Sequence, residues 1–251
     1  MRIAIWQPAA PFTARQPFVT ALAAVMARAA AAGCRLLLAP ERPLRAPEGT
    51  PPADVAEPSD GALARSLAAL CRRHRLGLAF GYQERFAGHV HASLMVLSPE
   101  GLALANYRRA HLRREEEGWI AAGNWLTLFP FARWRPGLLG GADLEHPEPA
   151  RALALTGADL LLAVGDGAGP EPAILRTLLA ARAWENRLPI LYADFAPPRG
   201  AGSAAVAADG RALAGAGEDE LLIAGPLAGE ASDRRPKRRP ELYARLTEID
   251  G

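Results

Sequence analysis

Three positions in this chain set a polar or vacant tip at the end of an apolar run: Glu41, Arg109 and Gly141. Glu41 follows RLLLAP (35–40), and a carboxyl group mounted there could take and return protons as a general base. Arg109 lies near the end of the run 102–112, and its permanently charged fork would suit an anion. The third position lies in RPGLLGGADLEHPEPARALALTGADLLLAV (135–164), which reads as a buried strand, a sharp turn, a helix and a second buried strand. Such turns are where α/β proteins usually mount reactive groups. Here the turn is Gly140, Gly141 and Ala142, none of which carries a reactive side chain. The plainer alternative is that Glu41 and Arg109 form only a buried ion pair. Breaking one costs ~3–5 kcal/mol, reason enough to keep both residues.

The elements that must position these residues follow from hydrophobic period and turn chemistry. Strands are predicted at 2–7, 35–40, 76–84, 159–164, 189–195 and 221–225, with one or two short ones in 125–134. Hairpins are predicted for 89–97 with 102–112 around SPEG, and for 203–208 with 211–214 around ADG. Helices are predicted at 17–32, 61–74, 145–157 and 173–187, with Ser59 and Asp60 capping the second. The segment 233–251 is basic, then weakly helical. Strand–helix–strand units mixed with hairpins give mixed sheets, and no composition break divides residues 1–251, so a single domain is expected.

Bulk properties exclude several classes. Half the 251 residues are hydrophobic and 22% are charged, which is globular composition. A net charge of +2 offers no field for nucleic acid or a membrane surface. The start MRIAIWQ reads as a strand rather than a signal peptide, and the Ala-rich run 21–33 is too short to span a bilayer, so a cytoplasmic protein is expected. Cys34 and Cys71 lie in or beside apolar helical patterns and read as buried, inert thiols. His89 and His91 share a strand face but lack a third ligand, so no metal is expected. GDGAGP (165–170) lacks the GxGxxG spacing, so no dinucleotide or other cofactor is expected. The run 234–239 (RRPKRR) reads as a solvated tail.

Taken together, the motifs resemble the nitrilase, or carbon–nitrogen hydrolase, superfamily across the whole chain. The resemblance rests on Pro40-Glu41, on YRRAHL (107–112), on the elbow GADLEHPE (141–148), and on ARALALTGADLLL, ARAWENR, GSAAVAADG and RRPELY downstream in order. It implies a four-layer αββα sandwich of two mixed sheets, a homodimer or higher oligomer with helices packed across a two-fold, and a tail (230–251) crossing to the partner. In that family a Cys thiolate attacks an amide or nitrile carbon, a Glu exchanges protons, and a Lys with the backbone N–H after the Cys holds the oxyanion. The resemblance gives Glu41 the Glu role and puts Arg109 at the Lys position and Gly141 at the Cys position. Ala142 is the residue after it, and Glu116, or else Glu115 or Glu117, is the second Glu.

The departures are severe. Glycine at 141 permits no covalent intermediate, and arginine has the wrong geometry for the Lys role. Almost all basic residues here are arginine: of 29, only Lys237 is lysine. His146 replaces a usual Phe, Asp194 a common Asn, and no Trp stands near 165–167. Glu148, Arg151 and Glu185 remain, the first two read as scaffold pairs. Asp143 reads as a cap for the following helix and His146 as a packed histidine, both beside any ligand bound at the elbow. Three readings result: a pseudoenzyme, inactive as a cysteine amidase, that binds a small ligand or protein partner; an enzyme of altered chemistry on small amides or related nitrogen compounds, using Glu41 and Arg109; or a structural or interaction subunit.

Overall fold

The computed structural model describes residues 1–46, 50–215, 220–225 and 239–243. Strands β1 (Ile3–Trp6), β2 (Leu36–Leu38), β3 (Gly77–Phe86), β4 (His89–Leu97), β5 (Ala103–Arg108) and β11 (Leu221–Ala224) form one sheet in the order β11-β1-β2-β3-β4-β5. A second sheet runs β10-β9-β8-β7-β6, from β10 (Ala212–Gly215), β9 (Ala204–Val206), β8 (Ile190–Ala193), β7 (Leu160–Val164) and β6 (Pro136–Leu139). Each has a parallel part, β1-β2-β3 and β6-β7-β8, and antiparallel flanks, so both sheets are mixed.

Alternation along the strands builds the layers. Ile3, Ile5, Leu36 and Leu38 pack with Leu138, Leu160, Leu162 and Val164 between the two sheets. The opposite faces turn outward: Ala4, Trp6, Leu37 and Ala39 pack under helices α1 (Arg15–Ala31) and α2 (Ala62–His74). Leu139, Leu161 and Ala163 pack under α3 (Pro147–Leu155) and α4 (Pro172–Asn186). Period-2 strands buried on both faces read as continuous apolar runs for this reason. The result is the expected αββα sandwich. Cys34 and Cys71 sit in the α1/α2 layer, and burial pushes the Cys71 thiol up to about 12. Among the described residues no helix is long and apolar enough to cross a membrane.

Local details differ from the sequence expectation. The start of α2 is capped by neither Ser59 nor Asp60: Gly61 is the N-cap, and Glu57 accepts the Leu63 N–H at 2.8 Å. A carboxylate four residues upstream of the cap therefore does the work assigned to a local one. Residues 125–134 form only the isolated bridges Leu128–Gly137 and Phe131–Trp134, the first lying antiparallel against the edge strand β6. Most of 230–251, including the basic run up to 238, lies outside the described residues.

One crossing fixes the site's geometry. The Gly81 N–H donates to the Pro40 carbonyl at 3.0 Å, and a Cβ on Gly81 would lie 1.7 Å from the Glu41 carbonyl oxygen. Only glycine lets the chain leave β2 across β3 at that separation. Gly81→Ala is expected to destabilise the protein by about 3 kcal/mol, at the upper end for overpacking, because backbone rather than a flexible side chain must yield. A lowered urea midpoint with unchanged slope checks this; an unchanged midpoint would mean that Glu41 is not held by this crossing.

Candidate functional site

The sandwich gathers four strand ends. Glu41 follows β2, Arg109 follows β5, Gly141 follows β6, and Asp166 follows β7. Glu41 is tied across the sheets by its N–H to the Gly165 carbonyl, at 2.8 Å. Arg109 donates its N–H to Ala92 at 2.9 Å and accepts the Gly123 N–H at 2.8 Å. Its side chain then crosses Gly140, where a Cβ would meet the Arg109 Cδ at 2.5 Å. Gly141 is in right-handed helical conformation (φ −56°, ψ −48°), so its backbone would admit any residue. Its N–H donates to Glu41 Oε2 at 3.2 Å.

Glu41 and Arg109 form the buried pair, each about 1% exposed, with Arg109 Nη1 3.0 Å from Glu41 Oε1. Those two atoms are an ion-pair contact without hydrogen-bond alignment, and neither has a hydrogen-bond partner among the described residues. Arg109 Nη2 donates to Glu116, whose Oε2 also accepts the Arg113 N–H at 3.0 Å. Arg42 donates to Asp166, Arg45 to the Asp166 carbonyl, and Arg113 Nη1 to Asp166 Oδ1 at 3.1 Å. Four guanidiniums thus face the buried carboxyl groups of Glu41, Glu116 and Asp166.

The carboxyl groups respond differently. Burial raises Glu41 above the ordinary carboxylate range; Arg109 opposes this, and the neighbouring Asp166 charge adds to it. Burial would raise Asp166 too, but Arg42 and Arg113 outweigh it and hold the group well below its usual value. Glu116 is likewise held low, burial being overcome by the hydrogen bond and charge of Arg109. Asp166 and Glu116 are therefore fixed anions, while Glu41 is poised to hold a proton.

The residues singled out from sequence fall into two groups. Glu41, Arg109, Glu116 and Gly141 come together; Glu115 and Glu117 are exposed. Asp143 does not cap α3. It is fully buried and accepts from Tyr107 Oη (2.6 Å), the Gly140 N–H (2.8 Å) and the His111 N–H (3.0 Å). It braces the elbow against β5, and α3 begins after His146 with no side-chain cap. His146 is exposed and stacks on His111 at 4.1 Å between ring centroids. Glu148 and Arg151 are not ion-paired with each other; Arg151 reaches the Glu185 carbonyl at 2.8 Å instead. Asp194 is buried, with its carboxylate on the Gly167 and Phe195 N–H groups. Sequence reasoning missed Arg42, Arg45, Arg113 and Asp166. The available signal was that Asp166 lies two residues beyond a buried strand, the placement that singled out Glu41.

A sequence model described as carbon-nitrogen hydrolase matches residues 2–228. The chain belongs to the carbon–nitrogen hydrolase family. Within that family it is similar to the "Hydrolase in pqqF 5'region" of Pseudomonas protegens, 34% identical over 208 residues covering 77% of this chain and 73% of that protein. It is also similar to an (R)-stereoselective amidase of a Pseudomonas species, 34% identical over 67% of this chain and 64% of the amidase. A mutant amidase of the nitrilase superfamily from Nesterenkonia AN1 superposes with a TM-score of 0.85 at 28% identity, over 98% of this chain and 97% of that one. Another structure of that amidase (TM-score 0.83, 26% identity, 98% and 99% covered) carries acrylamide added at its active-site cysteine.

The fixed anions set the acid behaviour of this carbon–nitrogen hydrolase homologue. Asp166 and Glu116 have folded values below their unfolded ones, so their stabilisation is present above the unfolded carboxylate range (about 4) and lost as pH falls through the folded values. Glu41, raised, acts in the opposite sense and loses stability as pH rises from about 4 through its folded value. The acid arm of a urea-midpoint profile should therefore be steep below about pH 4 and flatter in Asp166→Asn. Parallel acid arms in the two proteins would show that Asp166 is not held low.

Proposed function

We propose that this carbon–nitrogen hydrolase homologue has lost the family's cysteine chemistry and binds a small ligand or a protein partner through the retained site. The observation that carries the reading is Gly141. It stands at the elbow, its N–H on Glu41 and its flank against Arg109 through Gly140, with no side chain to act as nucleophile. Arg109 takes the place of the family Lys, and Glu41 and Glu116 stay as its partners. Cys34 and Cys71 are buried in the α1/α2 layer, on the far face of the sheet, and supply no substitute thiol.

One observation favours altered chemistry as a second reading. Burial gives Glu41 the raised value expected of a proton-exchanging carboxyl group. On that reading Glu41 activates a water or a substrate amine, with Arg109 as the anion anchor. Against it, Glu41 is closed in by Arg109 and the Gly141 N–H.

Ammonia release from small amides and nitriles separates the two. The purified protein is expected to release none; turnover abolished by Glu41→Gln would establish the second reading instead. Reconstruction gives an independent check. A Cβ at 141 would lie 3.0 Å from Arg113 Nη2 and 3.3 Å from Glu41 Oε2, so a new side chain must displace Arg113. Gly141→Cys with Arg109→Lys is expected to label slowly with iodoacetamide at position 141. Adding Arg113→Ala should raise the labelling rate about tenfold or more through relief of that contact. Equal rates would mean that Arg113 does not occupy the space.

We also propose self-association through the helices over the second sheet. On α4, Ile174 and Trp184 are about half exposed and share a face at helical spacing with Thr177 and Ala181. Light scattering is expected to give a dimer or larger assembly that Trp184→Asp dissociates. A monomeric parent chain would rule this out.

A further inference from the structure

We propose that the foot of α2 carries a second site, a cleft that takes the phosphate group of a small molecule on the guanidiniums of Arg35, Arg72 and Arg75. Arg35 stands before β2 and Glu41 after it, so the extended chain sets them roughly 20 Å apart. The cleft therefore lies at the end of the first sheet opposite the elbow, and its occupancy does not depend on the chemistry there.

Separate elements build the cleft. Arg72 lies in the last turn of α2, and Arg75 caps that helix in the left-handed conformation (φ 50°), turning the chain into β3. Arg35 is held before β2: its N–H donates to the Arg2 carbonyl and its carbonyl accepts the Gly77 N–H, each at 3.0 Å. The turn between β4 and β5 forms the remaining wall. There the Gly101 N–H donates to the Ser98 carbonyl at 2.9 Å, and Ser98 Oγ accepts the Glu100 and Leu102 N–H groups at 3.1 and 3.2 Å. This turn presses so closely on α2 that a Cβ on Gly101 would lie 2.6 Å from both the Ala68 carbonyl oxygen and Arg72 Nη1. With Pro99 and Glu100, the three arginines line an open cleft of about 630 Å³, within the ~300–1,000 Å³ range of small-molecule sites.

Charge selects the ligand. Arg35, Arg72 and Arg75 are exposed, and among the described residues none of their guanidiniums enters an ion pair or a hydrogen bond. Glu100 is the one acid in the lining, so the cleft holds two positive charges in excess. A phosphate monoester carries about −1.5 to −2 at pH 7, with three strong acceptor oxygens, and matches that excess. A monocarboxylate would leave one of the charges unmatched. Guanidiniums also meet phosphate oxygens with paired N–H groups, so shape and charge point to the same ligand class.

Arg72 alone has a simpler use, since a cation in the last turn of a helix complements the helix dipole. Arg35 lies in no helix, and that use does not explain it. A nucleic-acid face is the poorer match. Affinity of that kind grows with the number of phosphates contacted along a strand. Here the arginines converge on one cleft, in a chain whose net charge is only +2.

Calorimetric titration of the full chain with sodium phosphate and with glycerol 3-phosphate tests the site. Glycerol, sodium acetate and sodium chloride at matched ionic strength are the controls. Both phosphates are expected to bind saturably, acetate more weakly, and glycerol and chloride not at all. Tighter binding of glycerol 3-phosphate assigns the site to phosphate esters, and tighter binding of inorganic phosphate to the free ion. Arg35→Gln and Arg72→Gln should each weaken binding by about tenfold or more. Glu100→Gln should strengthen it by about threefold or more, because a like charge leaves the cleft. Arg73→Gln, exposed but outside the lining, should leave it unchanged. All four side chains are exposed, so these variants are expected to keep the parent urea midpoint. If Arg72→Gln does not fold, Arg35→Gln and Glu100→Gln decide. No saturable phosphate binding beyond chloride, or equal losses in Arg35→Gln and Arg73→Gln, overturns the proposal. Binding of a short DNA duplex without any response to glycerol 3-phosphate overturns it in favour of a polyanion face.

Discussion

The structure depends on neutralising charge where two apolar sheets meet. Arg109 is buried between Glu41 and Glu116, and removing any one of the three strands the others in a medium that solvates them poorly. The cost of a broken buried pair, ~3–5 kcal/mol, is a large fraction of the ~5–15 kcal/mol stability margin of a typical domain. The same constraint shapes the backbone. Gly81 lets Glu41 leave β2 at the right height, and Gly140 lets the Arg109 stem pass. Both are conformationally ordinary positions where space, rather than dihedral freedom, demands glycine. The ion cluster and its glycines therefore form one unit, and the sandwich supplies the strand ends that bring them together.

Gly141 is different from those two. No backbone clash forbids a side chain there, and its dihedrals suit any residue. The neighbour nearest to a Cβ is the far end of a flexible side chain, Arg113. Glycine at 141 and arginine at 113 are thus coupled by volume: either one alone leaves a void or an overlap. Arg113 is also held from behind by Asp166, which Arg42 and Arg45 engage as well. At its other edge Nε lies 3.6 Å from the carboxylate of Glu145, so the guanidinium is held between two acids.

Much of this was legible in the sequence, and the limits have physical causes. Buried strands followed by Glu41, Arg109 and Gly141 announced themselves because a polar or missing side chain at the end of an apolar run is unusual. Glu116 could not be separated from Glu115 and Glu117 by pattern, since only three-dimensional contact with Arg109 distinguishes them. Asp143 was misread as a cap because its position before a helix fits that role. Its carboxylate instead turns back to Tyr107 and His111, partners more than thirty residues away in sequence. Glu57 capping α2 is a nearer miss, a carboxylate just upstream of Ser59 and Asp60 reaching the Leu63 N–H in their place. Arg42, Arg45 and Arg113 were invisible for another reason: in a chain where nearly every basic residue is arginine, one more arginine carries little information.

That abundance also bears on why the site is arginine-built. Lysine could neutralise Glu41, but as a compact, strongly hydrated charge it would hold one carboxylate and pay more to leave water. Arg109 spans two, contacting Glu41 through one terminal nitrogen and Glu116 through the other. A planar fork that bridges two acids locks both, and leaves Glu41 Oε1 facing a cation without a hydrogen bond. Burial raises Glu41 despite the opposing charge of Arg109, with the Asp166 charge adding to it, whereas Arg42 and Arg113 overcome burial at Asp166 and hold it as a fixed anion.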